Sequence, residues 1–148
     1  MNNDIFDLYQ ELIIDHSRSP KNFGRLKDKT HHACGHNPLC GDTVDIHLLM
    51  QGETIMDIAW YGDGCAISKA SASLMTESAK GKTVTHALKI FKAFHHMLTQ
   101  GDGQAAELGK LAVFKGVKTF PSRVKCATLC WHTPNAALKK HPVKVTTE

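Results

Sequence analysis

The sequence predicts an α+β fold in which a small antiparallel sheet of two to three strands packs against about five helices. Three observations carry this expectation. Residues 43–61 alternate apolar and polar side chains on both sides of a Gly52-Glu53 turn, the period of a half-buried hairpin. The segments before and after it carry apolar residues at helical spacing instead. No internal repeat, low-complexity segment or linker divides the chain, so its 148 residues, 42% hydrophobic and 22% charged, are expected to form one domain, 1–148.

Taken in order, Asn3 or Asp4 can cap a first helix whose apolar residues Ile5, Leu8, Tyr9, Leu12 and Ile13 follow the helical period, and which fades before Pro20. Ser17 to Lys29, rich in Pro, Gly, Asn and basic residues, reads as a loop or mobile arm, and His31 to His36 as a weaker third strand. In the hairpin Val44, Ile46, Leu48 and Met50 share a face, answered on the return strand by Met56, Ile58 and Trp60. Ala66 to Lys80 has small side chains on every turn and reads as a helix that Cys65 opens and Gly81 stops. Lys82 to Thr99 places Val84, Ala87, Leu88, Phe91, Phe94 and Leu98 at helical spacing and is closed by Gly101. Gly101-Asp102-Gly103 follows a helix and not a strand, so it is a loop rather than a phosphate cradle. A short helix is expected over Ala105 to Val113, broken by Gly116. Pro121 suits the first position of a last helix running through Cys126 and Cys130 to about His132, with a kink or restart at Thr133-Pro134.

Composition narrows the function. No run of roughly eighteen apolar residues is present, and the acidic Met1-Asn2-Asn3-Asp4 start lacks the basic region of a secretory signal, so a cytoplasmic chain with no membrane partner is expected. Five cysteines, an odd number unevenly placed in a chain of this size, favour metal binding or reactive thiols over a disulfide framework. The net charge of +4 is uneven: residues 1–109 hold ten Lys and Arg against thirteen Asp and Glu, and residues 110–148 hold eight against one. A basic C-terminal portion suits an acidic protein partner or a nucleic acid, but no aromatic interleaving or groove-reading motif supports the latter.

Three cysteines stand at junctions: Cys40 before the hairpin, Cys65 at the loop-to-helix turn after it, and Cys126 in the last helix. Strands that run out and back finish side by side, so Cys40 and Cys65 are neighbours by topology. Glycines on either side of Asp63 let the backbone approach whatever Cys65 binds, and a thiolate opening a helix feels the positive end of its dipole. Asp42 adds a hard carboxylate two residues from Cys40. Three thiolates and one carboxylate suit a tetrahedral zinc ion, and the same sulfurs could hold an iron–sulfur cluster. No Cys-x-x-Cys pair occurs, which excludes a zinc ribbon. Cys130 lies one turn beyond Cys126, either as an exchangeable fifth ligand or as core packing. Cys34 reads as an ordinary small buried residue, and His36 and His132 as chance neighbours of the cysteines.

The strings Asn37-Pro38-Leu39-Cys40-Gly41-Asp42, Gly62-Asp63-Gly64-Cys65-Ala66-Ile67-Ser68 with Ala70-Ser71-Ala72-Ser73, and Arg123-Val124-Lys125-Cys126-Ala127 with Leu129 and Trp131 resemble the three cysteine motifs of the SufU branch of the IscU/NifU N-terminal family. The likeness covers nearly the whole chain. In the IscU branch a histidine precedes the third cysteine; Lys125 and the long connection from Cys65 to Cys126 resemble SufU instead. The resemblance implies iron–sulfur cluster biogenesis with a cysteine desulfurase and other cluster assembly or acceptor proteins as partners. It implies zinc on Cys40, Asp42, Cys65 and Cys126, with Cys40 as the thiol that accepts persulfide sulfur and Arg123 and Lys125 as basic residues of the third motif. As an enzyme the protein would be a zinc-dependent sulfurtransferase. The alternative is a scaffold on which Cys40, Cys65 and Cys126 hold a transient [2Fe–2S] cluster. Cys130 falls where relatives are expected to lack a cysteine. A zinc-stabilised nucleic-acid-binding module ranks last.

Overall fold

Residues 42–63 turn back on themselves at Gly52, and the rest of the fold is laid on the sheet they begin. The computed structural model describes residues 2–38, 41–100, 105–138 and 144–146. In chain order the elements are α1 (Asn2–Arg18), β1 (His31–Asn37), β2 (Asp42–Gln51), β3 (Thr54–Asp63), α2 (Ala66–Ala79), α3 (Val84–Thr99), a 3-10 segment (Ala105–Thr119), α4 (Pro121–Leu138) and β4 (Lys144–Thr146). The sheet order is β3-β2-β1-β4. β2 runs antiparallel to both β1 and β3, and the short β4 joins β1 in parallel. The α+β class, the five helical segments and the three antiparallel strands agree with the sequence expectation. The fourth strand was not foreseen, because three residues near the end of the chain carry no readable period.

One sheet face holds Val44, Ile46, Leu48, Ile58 and Trp60, all at most 2% exposed. Each residue of this size stabilises the fold by roughly 1.5–3 kcal/mol when buried. Against this face lie α2 and α4. The small residues of α2 permit close approach: the Ser71 hydroxyl donates to the Ala127 carbonyl of α4 at 2.5 Å, and His16 of α1 meets the Ser73 hydroxyl at 2.6 Å. Gly35 of β1 serves the same purpose, since a Cβ there would run into the Thr133 hydroxyl and Leu129 of α4. A second part of the core joins α3 to the 3-10 segment, with Phe94 edge-on to Phe114 and stacked on Trp131.

Four local expectations are corrected. Met56 was placed on the buried face but is 48% exposed, while Ile55 is 2% exposed. The cause is a bulge: Leu49 pairs with Asp57 and Met50 with Ile55, so Met56 is the extra residue and the alternation changes phase there. The break expected at Gly116 lies instead at Gly109, whose φ of 55° interrupts a segment that is 3-10 rather than α. The last helix does not stop and restart at Thr133-Pro134 but runs on to Leu138, with the Thr133 hydroxyl donating to the Leu129 carbonyl. Finally, the arm between α1 and β1 is held down. Gly24 N–H donates to the Trp60 carbonyl and Trp60 N–H to the Asn22 carbonyl, covering the outer edge of β3 together with residues 81–84.

Candidate functional site

Hairpin closure sets Thr43 opposite Asp63, which brings the first residue of β2 beside the loop that leads into α2. Asp42 there is fully buried. Its Oδ1 accepts the Cys65 backbone N–H at 3.0 Å, and its Oδ2 lies 4.0 Å from Cys65 Sγ. Gly64 makes this approach feasible: its φ is 158°, and a Cβ on it would strike the Asp42 carboxylate. Asp63 fixes the turn by accepting the Gly64 N–H and pairing with Lys69, and the Gly64 hydrogen bond, then Lys69, holds its carboxyl below the usual range.

Cys65 caps α2 with an extended backbone, and its sulfur accepts the Ser68 N–H at 3.4 Å. Cys126 enters from α4, fully buried, and the buried Asn37 amide of β1 donates to its sulfur at 3.7 Å. One donor atom from each of Asp42, Cys65 and Cys126 falls within 4.8 Å of the others. Two soft sulfurs and a hard oxygen form a donor set that zinc accepts. A cation also suits the charge: among the described residues no Lys, Arg or His makes an ion pair with the buried Asp42. A carboxylate in that position is costly unless a positive charge meets it.

Beside Cys65 opens a cleft of about 710 Å³ walled by Ile13, Ile67, Val117 and Phe120, with exposed Arg123 on its lining. Cys65 itself is part of the cleft wall.

The family model for the NifU-like N-terminal domain matches residues 8–127. The chain belongs to this family. The NifU-like domain is 39% identical over 125 residues to the zinc-dependent sulfurtransferase SufU of Bacillus subtilis strain 168, covering 84% of each chain. It is 37% identical over 134 residues to the iron–sulfur cluster assembly scaffold protein IscU of Streptococcus pyogenes serotype M1, covering 90% of this chain and 84% of that one. Its structure resembles, at a TM-score of 0.82 and 38% identity, a candidate iron–sulfur cluster assembly scaffold for the SUF system from Fervidobacterium islandicum AW-1, over 86% of this chain and 94% of that one.

Of the residues singled out from sequence, Asp42, Cys65 and Cys126 are thus brought together and Arg123 shares the cleft with Cys65. Cys40 lies outside the described residues. Lys125 is half-buried and does not line the cleft with Arg123. Cys130 is core: it is 2% exposed, its sulfur bonds to Ser71 Oγ at 3.4 Å, and burial pushes its thiol from 9.0 up to about 12. His132, half-buried between Phe91 and His95, is held below its usual range by burial and then by His95, away from the cluster. Cys34 is not the buried residue expected: it is half-buried and donates to Asp45 on the opposite sheet face. Sequence reasoning missed Asn37 as a positioning residue. The signal was its place on the core side of β1, where a lone amide needs a partner.

Proposed function

We propose that this NifU-like domain is a cytoplasmic iron–sulfur cluster assembly protein that holds zinc on Cys40, Asp42, Cys65 and Cys126 and accepts persulfide sulfur from a cysteine desulfurase. The carrying observation is the convergence of Asp42, Cys65 and Cys126 around a buried carboxylate that lacks an ion-pair partner among the described residues. Similarity to the zinc-dependent sulfurtransferase SufU supports the reading, as does the position of Cys40 two residues from Asp42 in sequence.

Zinc, when bound, supplies the charge that keeps its cysteine ligands as thiolates and shields them from oxidation. The remaining work belongs to this chain. Asp42 fixes Cys65 by accepting its N–H. The Cys40 thiolate attacks the terminal sulfur of the desulfurase persulfide: a bond forms from Cys40 Sγ to that sulfur, the donor S–S bond breaks, and its electron pair leaves on the desulfurase thiolate. No outside oxidant is needed, because the sulfur arrives at the oxidation level it keeps. Arg123 at the cleft attracts the sulfur anion or the partner's carboxylates, and the third motif assigns Lys125 to the same task.

A scaffold reading, favoured by the IscU relatives, uses the same sulfurs for a transient [2Fe–2S] cluster before transfer to acceptor proteins. Anaerobic purification separates the two. A colourless protein that gives up one equivalent of zinc in the Cys65→Ser and Cys126→Ser variants is expected, whereas a brown, iron-containing protein contradicts the sulfur-acceptor reading.

A further inference from the structure

We propose that a second site for a zinc-type divalent cation lies on the opposite face of the sheet, formed by His32, Cys34 and Asp45. Alternation along β2 turns Asp42, Val44 and Ile46 to the helices and Asp45 away from them. Antiparallel pairing sets Cys34 directly opposite Asp45, and His32 stands two residues before Cys34 on the same side. Cys34 Sγ donates to Asp45 Oδ1 at 2.5 Å, His32 Nε2 lies 3.2 Å from that oxygen, and His32 Nε2 lies 3.8 Å from Cys34 Sγ. The three donor atoms fall within 4.8 Å of one another.

The arrangement argues against the other chemistry these residue types perform. In a Cys-His-Asp relay the carboxylate orients one ring nitrogen and the thiol meets the other. Here Nε2 of His32 faces both partners, so three donors converge on one point. Zn–S near 2.3 Å and Zn–N near 2.0 Å in a tetrahedron place ligand atoms about 3.3–3.7 Å apart, close to the two separations that involve His32. The shorter Cys34 to Asp45 separation spans a hydrogen-bonded proton, which a cation displaces to solvent. A thiolate, a carboxylate and a neutral imidazole then balance a dication, and three protein donors leave a fourth position to water.

The frame is stiff, since all three residues are register-fixed on paired strands. His47, opposite His32, buttresses it edge-on at 4.7 Å. Its Nδ1 accepts the Leu26 N–H at 3.1 Å, which leaves the neutral ring's proton on Nε2 and makes it a support rather than a fourth ligand. His32 is exposed and Cys34 half-buried, so a cation can enter from solvent.

The test is cobalt(II) and zinc titration of the full chain against a chelator of micromolar affinity. The Cys65→Ser/Cys126→Ser variant is expected to bind one equivalent of cobalt with thiolate-to-cobalt absorption, and adding Cys34→Ser abolishes it. In the otherwise native chain, exposed His32→Gln is expected to leave the fold intact, judged by circular dichroism, and to lower zinc stoichiometry by one equivalent. The proposal is overturned if wild type and His32→Gln bind equal zinc, or if cobalt absorption survives Cys34→Ser unchanged. Because Cys34 carries the readout, the outcome is independent of whether Cys65 and Cys126 bind zinc.

Discussion

Asp42 couples the two ends of the hairpin to the sulfur chemistry, because the same carboxylate that could meet a cation also holds the Cys65 backbone. A hard oxygen binds a borderline-soft ion less firmly than sulfur does, so Asp42 keeps the proposed site exchangeable. Anaerobically reconstituted Asp42→Cys, which puts sulfur in place of the oxygen, is therefore expected to release metal to a chelator about tenfold more slowly, a difference of roughly 1.4 kcal/mol in the barrier; unchanged release kinetics would remove this role. Cys130, only one turn from Cys126, behaves in the opposite manner. Burial, partly offset by its bond to Ser71, raises its pKa from 9.0 to about 12, so folding favours the thiol. That contribution to stability is whole below the unfolded value of 9.0 and is lost as pH climbs toward about 12. Urea midpoints should fall with rising pH across this window more steeply in wild type than in Cys130→Ala, and parallel slopes would contradict the assignment.

Among the elements, β3 owes its protection to side-chain packing that begins far away in sequence. Trp60 is 2% exposed, donates its indole N–H to the Lys21 carbonyl at 3.1 Å, and meets Phe23 edge-on. Trp60→Ala is expected to cost about 3–5 kcal/mol and to release residues 22–24 from the strand. The check is urea denaturation combined with hydrogen exchange at the Gly24 amide, whose acceptor is the Trp60 carbonyl. Stability loss with unchanged exchange at Gly24 would show that the arm is held by something else. The hairpin itself was readable because its pairing is local and its turn carries Gly52 at positive φ. The bulge at Met56 was not, since a period-two count contains no information about where a strand takes an extra residue. Nor was the passage of α4 through Pro134, where tertiary packing against β1 overrides a helix-breaking propensity.

For the molecule as a whole, topology predicted from sequence accounts for Asp42 standing beside Cys65, because a hairpin must return its ends together. That Cys126 joins them depends on α4 crossing β1 and β2, a long-range packing that followed from motif resemblance and not from any local pattern. The burial of Asp42 and the cross-strand cluster of His32, Cys34 and Asp45 became visible only with the register in hand. The central claim is that sulfur passes from a desulfurase persulfide to Cys40. It is tested most directly by mixing the zinc-loaded protein with a persulfide-charged cysteine desulfurase and locating the transferred sulfur by mass spectrometry of the intact chain and its peptides. One sulfur atom on Cys40, abolished by Cys40→Ser while zinc on the remaining ligands persists, is the expected result. Full sulfur transfer to the Cys40→Ser variant would contradict it.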